Sequence, residues 1–504
     1  MDKIPTGGTA TALCALLSLV AIYFLRVYTR LQHIPGPFLA AFSNIPRMYW
    51  VWTKRAHEKH IALHKKYGSL VRIGPDVVSV GDPAEISHIY GFDDTFSKSD
   101  FYSVILPYNN GKAMPGLISA KDNNLHRSLK RPISNIYSMS NLVSFERFVD
   151  SSIERLCSQL EKSYAEGAHS QHCDLSFWLQ AFVFDTLGEL TFSQPYGFVE
   201  QGKDIEGIMG DIWSHFERVS LVGQMPWIDT FLRINPLLSK LRPKPVSPIA
   251  KFSMARIQER KMRGEQGASA VNDRDLLSRF IAAQAQNPGT PPFALFSWIA
   301  GNITAGSDTT ATVLRSLFYY LLKNPATLEI LMSEIAMARK AGLLSNPPTW
   351  KETQDLRYLD ACVMEAQRLH PPVGLHLERV VPQEGATLCG KYIQAGTVVG
   401  INAWVVHRDT GTFGEDVDVW RPERWVDCTE EQRARMDKAI FTFGAGSRVC
   451  VGKNFSLLII YKLLPSLLQR FEVSLADPHA TWTVENRWFV VQRNLLVNLK
   501  RSDV

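Results

Sequence analysis

One cysteine near the carboxyl end of the chain has unusual neighbours. Cys450 lies in FTFGAGSRVCVG (residues 441–452), among three glycines, two phenylalanines and an arginine, and the apolar run after it predicts a helix over 455–470. A thiolate just before a helix N-terminus is favoured by the helix dipole and by unpaired backbone N–H groups. The segment therefore predicts a nucleophile or a metal ligand, whereas most free cysteines are buried and inert.

The two chemical roles of such a thiolate have different requirements. A nucleophile needs a base, usually histidine, and His370, His376 and His407 are distant in sequence and lie in other patterns. A metal ligand needs further cysteines or a cofactor that supplies the remaining ligands. Haem supplies four nitrogens and leaves an axial position for one thiolate. A single cysteine is therefore sufficient for a haem site.

A second group of reactive side chains interrupts a long apolar run. The run spans residues 292–322 and predicts a helix through the core, but it contains AGSDTT at 305–310. Gly, Ser, Asp and Thr are mediocre helix formers, so we expect a local distortion there. Such distortions often mark functional sites.

These segments resemble the motifs of cytochromes P450. The defined positions of the haem-binding signature FxxGxRxCxG, with its additional glycine, correspond to Phe443, Gly444, Gly446, Arg448, Cys450 and Gly452. The segment 305–310 resembles the AGxDTT oxygen-activation motif, 365–368 (EAQR) the ExxR pair, and 421–425 (RPERW) the PERF segment with Trp for Phe. The resemblance extends from the amino-terminal apolar segment to the carboxyl-terminal hairpin. Segments 192–208, 225–238 and 370–382 resemble fungal microsomal members such as the pisatin demethylase and benzoate para-hydroxylase group.

The resemblance implies haem b as cofactor, with Cys450 as the axial iron ligand and Phe443 shielding the thiolate. Arg448 and Arg379 then pair with the haem propionates, since guanidinium binds carboxylate bidentately. The family has a further pair of propionate partners, Trp or His followed by Arg four residues later. His126 fits the first of these positions, but Lys130 stands where the family usually has Arg. Lys130 or Arg131 could reach a propionate, or either could belong to a solvated helix face.

The ExxR resemblance implies a structural clamp. Glu365 and Arg368 are three residues apart and share one helical face, and Arg424 would be their third partner. The alternative is a surface ion pair, which contributes little to stability.

The resemblance assigns oxygen activation to Asp308 and Thr309, because that chemistry needs protons delivered into an apolar pocket. Asn302 shares their predicted helix, and we expect it to hydrogen-bond a polar substrate group; a bond to neighbouring helices is the alternative. Further substrate contacts are expected from Phe101, Val373 and Trp488. The substrate itself is expected to be a small hydrophobic or aromatic molecule.

The elements that must position these residues are mostly helical. Helical periodicity covers 143–160, 178–190, 292–322, 326–341, 356–369 and 455–470, whereas 70–80, 391–399 and 483–499 read as strands. We therefore expect a mainly α fold with minor β, in one large haem-thiolate catalytic domain over 41–504.

The amino-terminal segment resembles a membrane anchor. Residues 9–25 are uncharged and apolar, and Arg26 and Arg30 follow them. We expect a short lumenal segment (1–8), one transmembrane helix (9–25), a basic and proline-rich hinge (26–40), and a catalytic domain that faces the cytosol from the endoplasmic reticulum. The alternative is a cleaved signal peptide.

Composition and charge restrict the partners. The 504 residues are 45% hydrophobic and carry a net charge of +6, without the clustered basic footprint of a nucleic-acid binder. No dinucleotide-binding glycine loop is recognised, so electrons would come from outside: the resemblance implies an NADPH-dependent cytochrome P450 reductase, and cytochrome b5 as a further donor, with O2 as co-substrate. The expected enzyme is a monooxygenase of secondary metabolism; a haem-thiolate isomerase or dehydratase and a silent haem sensor are the alternatives.

Overall fold

The structure, a computed structural model, describes residues 6–93, 95–106, 108–109, 112–165, 172–234, 248–265 and 275–502. The helices are α1 Thr6–Arg30, α2 Ile45–Trp52, α3 Ala56–Tyr67, α4 Ile86–Ile89, α5 Asn123–Ser134, α6 Met139–Leu142, α7 Glu146–Leu160, α8 Leu175–Phe192, α9 Phe198–Gln201, α10 Ile208–Val222, α11 Pro226–Ile234, α12 Pro248–Glu265, α13 Leu276–Gln286, α14 Ala294–Lys323, α15 Pro325–Lys340, α16 Trp350–Thr353, α17 Arg357–Leu369, α18 Ala403–Val406, α19 Thr410–Phe413, α20 Glu430–Ala439 and α21 Lys453–Arg470. The strands are β1 Leu70–Gly74, β2 Val77–Val80, β3 Ser97–Lys98, β4 Tyr108–Asn109, β5 Lys112–Ala113, β6 Cys173–Asp174, β7 Leu377–Val380, β8 Ala386–Leu388, β9 Lys391–Ile393, β10 Val398–Ile401, β11 Phe471–Leu475, β12 Thr483–Arg487, β13 Phe489–Arg493 and β14 Leu496–Arg501. The predicted mainly helical class is confirmed.

The long helix α14 crosses the core. It packs against α8, α17, α21 and strand β13. Helix α8 is apolar on nearly every side and is buried along almost its whole length, as expected for a helix enclosed by others. Together these elements form the scaffold that positions the AGSDTT segment.

The distortion expected in the middle of α14 does not occur. The helix is continuous from Ala294 to Lys323. The hydroxyls of Ser307, Thr309 and Thr312 donate to carbonyl oxygens four residues earlier, at 2.8–2.9 Å. Because the hydroxyls share carbonyls that already accept helical bonds, they are satisfied without breaking the backbone ladder.

The largest sheet brings distant segments of sequence together. Its strand order is β1-β2-β10-β7-β3, with β2 and β10 parallel and the other pairs antiparallel. The predicted hairpin over 70–80 is its β1–β2 pair. In the β3–β7 pair, Lys98 lies opposite Arg379. The sheet therefore places two cations side by side that are 281 positions apart in sequence.

The carboxyl-terminal hairpin β12–β13 turns at Trp488, which adopts a positive φ of 74°. Phe489 then forms an isolated bridge with Val373, and β13 packs on α14. This hairpin holds the segment that leads into β7 against the central helix.

The amino-terminal helix α1 extends past the predicted end of the anchor, to Arg30. Its residues Leu13–Arg30 have a mean hydropathy of 1.5, and in the described chain α1 is the one helix long and apolar enough to cross a membrane. Arg72 donates to the carbonyl oxygens of Val27 (2.7 Å) and Tyr28 (3.0 Å), and Arg30 pairs with Asp76 at 3.0 Å. The end of α1 is thus fixed to the β1–β2 hairpin.

Candidate functional site

The loop that carries Cys450 is held from both ends. The Cys450 N–H donates to the Phe443 carbonyl at 2.9 Å, which closes the loop. Beyond the cysteine, Gly452 precedes the first residue of α21, and the backbone N–H groups of Gly452 and Lys453 hydrogen-bond the sulfur. Burial raises the pKa of the thiol, while these bonds and the charges of Lys130 and Lys453 oppose that rise. The loop thus has the N–H geometry that stabilises a thiolate.

Two of the three loop glycines need their special conformation. Gly444 and Gly446 have φ of 68° and 60°, and a Cβ at Gly446 would lie 1.8 Å from the Tyr90 carbonyl oxygen. Gly452 differs, because its φ of −84° is open to any residue. Gly452 therefore does not need a glycine's conformation, and it lies directly before the first residue of the helix.

Cys450 and one line of residues on α14 are both accessible. Cys450 itself is accessible, although protein atoms surround its sulfur as closely as those of a core group. On α14, Gly301, Ala305 and Thr309 form an accessible line at four-residue spacing, while Ile303 and Ser307 are buried. A Cβ added at Gly301 would meet nothing within 4 Å. The thiol and this open helical line are both available to a bound group.

A cluster of cations lies near the cysteine loop. Lys98, Lys130, Arg379 and Arg448 all raise the positive potential at His126, and with burial, the largest cause, they lower its pKa to about 3. Within the described residues, Lys98 and Arg379 form no ion pair: Lys98 donates to the Ile118 carbonyl at 2.6 Å, and Arg379 to its neighbour's carbonyl at 2.9 Å. The cluster thus contains two buried cations, Lys98 and Arg379, that no ion pair in the described part of the chain balances.

These two buried cations fit two carboxylate groups. A haem carries two propionates, and an accessible thiol beside several cations is the donor set that such a group requires. Arg448 additionally donates to the carbonyl oxygen of Ala120 at 2.9 Å and to Asn123, which ties the cysteine loop to the start of α5. The described residues thus fit a haem, and the assignments of Arg379, Arg448 and His126 to it stay predictions.

The structure distinguishes Lys130 from Arg131. Lys130 donates to the carbonyl oxygens of Ser447 (2.7 Å) and Val449 (3.2 Å) in the cysteine loop, whereas Arg131 is exposed. Lys98 was missed by sequence reasoning, because a lone Lys in a two-residue strand carries no signal until the β3–β7 register places it beside Arg379.

The clamp residues come together deep in the core. Glu365 and Arg368 are fully buried and form two hydrogen bonds of 2.7 and 2.8 Å. Arg424 Nε lies 3.5 Å from Glu365 Oε1. Trp425 donates its indole N–H to Glu365 Oε2 at 2.9 Å, so the Trp that replaces the motif's Phe supplies a further donor. The exposed-pair alternative does not apply.

His407 links this clamp to the cysteine loop, and sequence reasoning set it aside. Arg368 donates to the His407 carbonyl at 3.0 Å, and His407 Nδ1 lies 3.0 Å from the Arg368 carbonyl. Thr442 in the loop donates to the Gln367 carbonyl at 3.1 Å. Sequence spacing could not predict these contacts, because Arg368, His407 and Thr442 lie in three separate segments.

Asp308 is buried between helices. Its Oδ1 accepts hydrogen bonds from Gln180 of α8 and, at 3.3 Å, from the Trp213 indole of α10. Burial raises the pKa of Asp308 to about 6, although the Arg315 charge and the Trp213 bond oppose the rise. A carboxyl group that exchanges a proton near neutral pH is suited to proton transfer.

The residues proposed to contact substrate are arranged differently from expectation. Asn302 donates to Thr191 at 3.1 Å and accepts from Tyr137 at 3.2 Å, which is the inter-helix alternative. Phe101 and Trp488 stack at 4.7 Å and are fully buried, whereas Val373 is partly accessible. A substrate contact by Asn302, Phe101 or Trp488 would require these protein contacts to open, so those roles stay predictions.

Comparison with known proteins gives a consistent result. The family model described as "Cytochrome P450" matches residues 35–501. A cytochrome P450 monooxygenase of Aspergillus terreus is 50% identical over 90% of this chain and 93% of its own length. Cytochrome P450 monooxygenase cicH of Emericella nidulans is 50% identical over 96% of both chains, and pkfB of the same fungus is 44% identical over 98% and 96%.

Proposed function

Because the chain belongs to the cytochrome P450 family and is a monooxygenase, we propose that it inserts one oxygen atom of O2 into a small hydrophobic or aromatic molecule. Hydroxylation or demethylation in fungal secondary metabolism is the proposed reaction. The observation that carries the proposal is that Cys450 and a line of residues on α14, Gly301, Ala305 and Thr309, are all accessible.

The proposed cofactor is haem b. Cys450 would hold its iron, and Arg379, Arg448, Lys98 and His126 would surround its propionates, which the buried positive charge of this cluster supports. When bound, the haem with its thiolate ligand supplies the reductive activation of O2.

The chain's own residues would control protons and water. The Thr309 hydroxyl lies on the accessible line of α14 and donates to the Ala305 carbonyl, so its oxygen can accept a bond from a bound group. Asp308, one residue earlier, can take up and release a proton near pH 6. Buried apolar residues on both sides of this segment keep bulk water away.

The runner-up function is a haem-thiolate isomerase or dehydratase that needs no reductant. The buried carboxyl of Asp308 beside Thr309 favours the monooxygenase, because rearrangement chemistry does not require a proton relay. A silent haem sensor would have no use for the relay either. Dependence of turnover on a reductant separates these alternatives.

The proposed electron donors are a membrane-bound NADPH–cytochrome P450 reductase and cytochrome b5. Arg127, Arg131, Lys438 and Lys453 are exposed, and Lys453 begins the helix that follows Cys450. An exposed basic surface beside the cysteine loop would complement an acidic redox protein.

The proposed location is the endoplasmic reticulum membrane, with α1 as a single-pass anchor and the catalytic domain in the cytosol. Large apolar side chains on α2 (Tyr49, Trp52) and α11 (Trp227, Phe231) are at least 59% exposed. Both helices pack against α10. Exposed aromatic residues of this kind are suited to a membrane interface.

The experiment is turnover of candidate aromatic substrates by the full chain in microsomes with a fungal reductase, NADPH and ¹⁸O2. We expect either a hydroxylated product that carries one ¹⁸O atom or a demethylated product formed together with formaldehyde, and no product without NADPH or with Cys450→Ala. Product formation without reductant would instead support the isomerase or dehydratase.

A further inference from the structure

The Asp308 carboxylate is held unevenly. Both of its described hydrogen bonds, from Gln180 and from Trp213, reach Oδ1. Oδ2 is buried and has no hydrogen-bond partner among the described residues. A buried carboxylate oxygen without a partner is costly, so the acid is poised to gain a proton or a further donor there.

The two donors differ in how firmly they are fixed. Gln180 is fully buried on α8, and its side-chain amide oxygen accepts a hydrogen bond from Arg315. Arg315 also donates to the backbone carbonyl of Ser176 at 2.8 and 2.9 Å. This part of the network lies within the tightly packed α8–α14 pair. The Gln180 donor is therefore part of the rigid core.

The Trp213 donor belongs to a different element. Trp213 is partly exposed on α10, and the Arg493 guanidinium lies over its ring at 4.6 Å. Phe216, three residues later, packs on Phe489 at 4.5 Å, beside the bridge to the accessible Val373. Any movement of α10 relative to α14 would thus move the indole N–H relative to Asp308.

The charges around the carboxylate are few. Arg315 faces it from the same helix, Arg493 of β13 lies behind Trp213, and Asp174 at the start of α8 acts on Arg315. Within the described chain, Arg315 is the charge that acts directly on the Asp308 carboxyl. Trp213 is the neutral donor that comes from α10 and is partly exposed, whereas the other neutral donor comes from the buried α8.

We propose that Trp213 is a positioning residue for the proton-relay carboxylate: its indole N–H holds Asp308 against Gln180 and makes that hold depend on the position of α10. This rests on the proposed monooxygenase function. An α10 that settles over substrate would keep the acid oriented, and an α10 that lifts would release it.

The direct test does not require turnover. Full-length holoenzyme labelled with ¹⁵N-tryptophan is studied by NMR in its reduced, carbon monoxide-bound form, which is diamagnetic. The indole resonance that is missing in Trp213→Phe is assigned to Trp213. We expect it to shift with pH with a midpoint near 6, and to lose this titration in Asp308→Asn. The Trp178 indole, which bonds Tyr164 at 3.1 Å, should show no such titration.

The functional arm compares two Trp→Phe variants. Trp213→Phe removes a hydrogen-bond donor from the Asp308 carboxylate, and this loss should raise the pKa of that carboxyl. The apparent pKa that Asp308 contributes to the pH–rate profile should therefore increase by about 0.5 to 1 pH unit, and more hydrogen peroxide should be released per NADPH consumed. Trp178→Phe removes an indole bond elsewhere and should keep the wild-type profile. Should Trp213→Phe fail to fold, Arg493→Gln is the second variant, because it keeps the Trp213 indole but removes the guanidinium that lies over its ring. We expect this variant to form less product per NADPH consumed.

The proposal is overturned if the Trp213 indole does not titrate, or if it titrates unchanged in Asp308→Asn. It is also overturned if Trp213→Phe and Arg493→Gln match Trp178→Phe in pH profile and coupling. Failure of the proposed monooxygenase function would look different, since product would then be absent in wild type while the indole titration persists.

Discussion

The Phe441 N–H donates a hydrogen bond to His407 Nε2 at 2.7 Å. Since Nε2 accepts, Nδ1 carries the proton and donates to the Arg368 carbonyl at 3.0 Å. Burial lowers the pKa of His407 to about 3, so the ring is neutral at physiological pH. One imidazole thereby joins the buried clamp to the first residue of the cysteine loop.

Removal of this imidazole should loosen the cysteine loop. His407→Ala leaves the buried Phe441 N–H without an acceptor, at a cost of about 1–3 kcal/mol. We expect a lower melting temperature and faster loss of the thiolate-type carbon monoxide band on incubation. The control is His88→Ala, an exposed histidine paired with Glu85. A His407→Ala protein as stable as this control would contradict the linkage.

Stability should fall as the pH is lowered from neutral. Burial lowers the pKa of His57 to about 4 and of His407 to about 3, from an ordinary value of 6.5. Below pH 6.5 these histidines become protonated in the unfolded chain but stay neutral in the folded chain. Each one therefore lowers the free energy of unfolding by up to about 1.4 kcal/mol per pH unit, until the pH reaches its folded-state pKa. Asp308, whose pKa is raised to about 6, acts in the opposite direction, as do Asp150 and Asp185, whose pKa values burial also raises; the buried histidines with lowered pKa values outnumber these three carboxyls.

The measurement is the melting temperature of the ferric holoenzyme between pH 5 and 8. We expect a decrease toward pH 5, and a flatter profile in His57→Phe, which keeps an aromatic ring against Trp404 but cannot titrate. A melting temperature that is constant or rises toward pH 5 would be inconsistent with the neutral buried histidines.

Lys98 should contribute to haem retention. It is buried and lies opposite Arg379 in the β3–β7 pair, and burial, together with the nearby cations, lowers its pKa well below the ordinary value. Anionic propionates would relieve that repulsion, so Lys98→Met should release haem to apomyoglobin several-fold faster, by about 1 kcal/mol or more. Lys65→Met, which removes an exposed cation paired with Asp418, should keep the wild-type rate. Equal rates would place Lys98 outside the cofactor site.

Two substitutions at Gly301 should have different effects, one on protein stability and the other on substrate binding. Gly301→Ala places a methyl group in open space in mid-helix and should stabilise the protein by about 0.5–1 kcal/mol. Gly301→Leu should fill the open space beside this helical line and weaken the spectral change caused by substrate, while the carbon monoxide spectrum stays unchanged. The control is Gly289→Leu, whose Cβ also meets nothing within 4 Å but which lies in a turn outside α14. Unaltered substrate binding by Gly301→Leu would show that this line does not face the pocket.

The sequence predicted the helices of the core closely, because their apolar periodicity is strong. The predicted helix over 455–470 is α21 from Lys453 to Arg470, and the one over 292–322 is α14 from Ala294 to Lys323. Short strands were harder: the pattern over 391–399 covers two strands, β9 and the start of β10, in different sheets. Two-residue strands such as β3 depend on tertiary pairing and carry no local signal.

The site was predictable where a motif is contiguous. The cysteine loop and the Glu365–Arg368 pair follow from local spacing. Side-chain direction on a helix does not follow so directly: Asn302 was expected to face the pocket, but its amide is drawn into bonds with Thr191 and Tyr137. Gln180, Trp213 and His407 come from other helices and segments, so only the packed fold shows what they contact.

The central claim is that Cys450 supplies a thiolate to haem iron. The most direct measurement is the reduced, carbon monoxide-bound difference spectrum of the purified protein, with Cys450→Ala as the matched variant. We expect the wild type to give the thiolate-type Soret band and the variant to lose it. The circular dichroism spectrum of the variant should match that of the wild type, which shows that the variant is folded. A wild type without that band, or a variant that keeps it, would contradict the assignment.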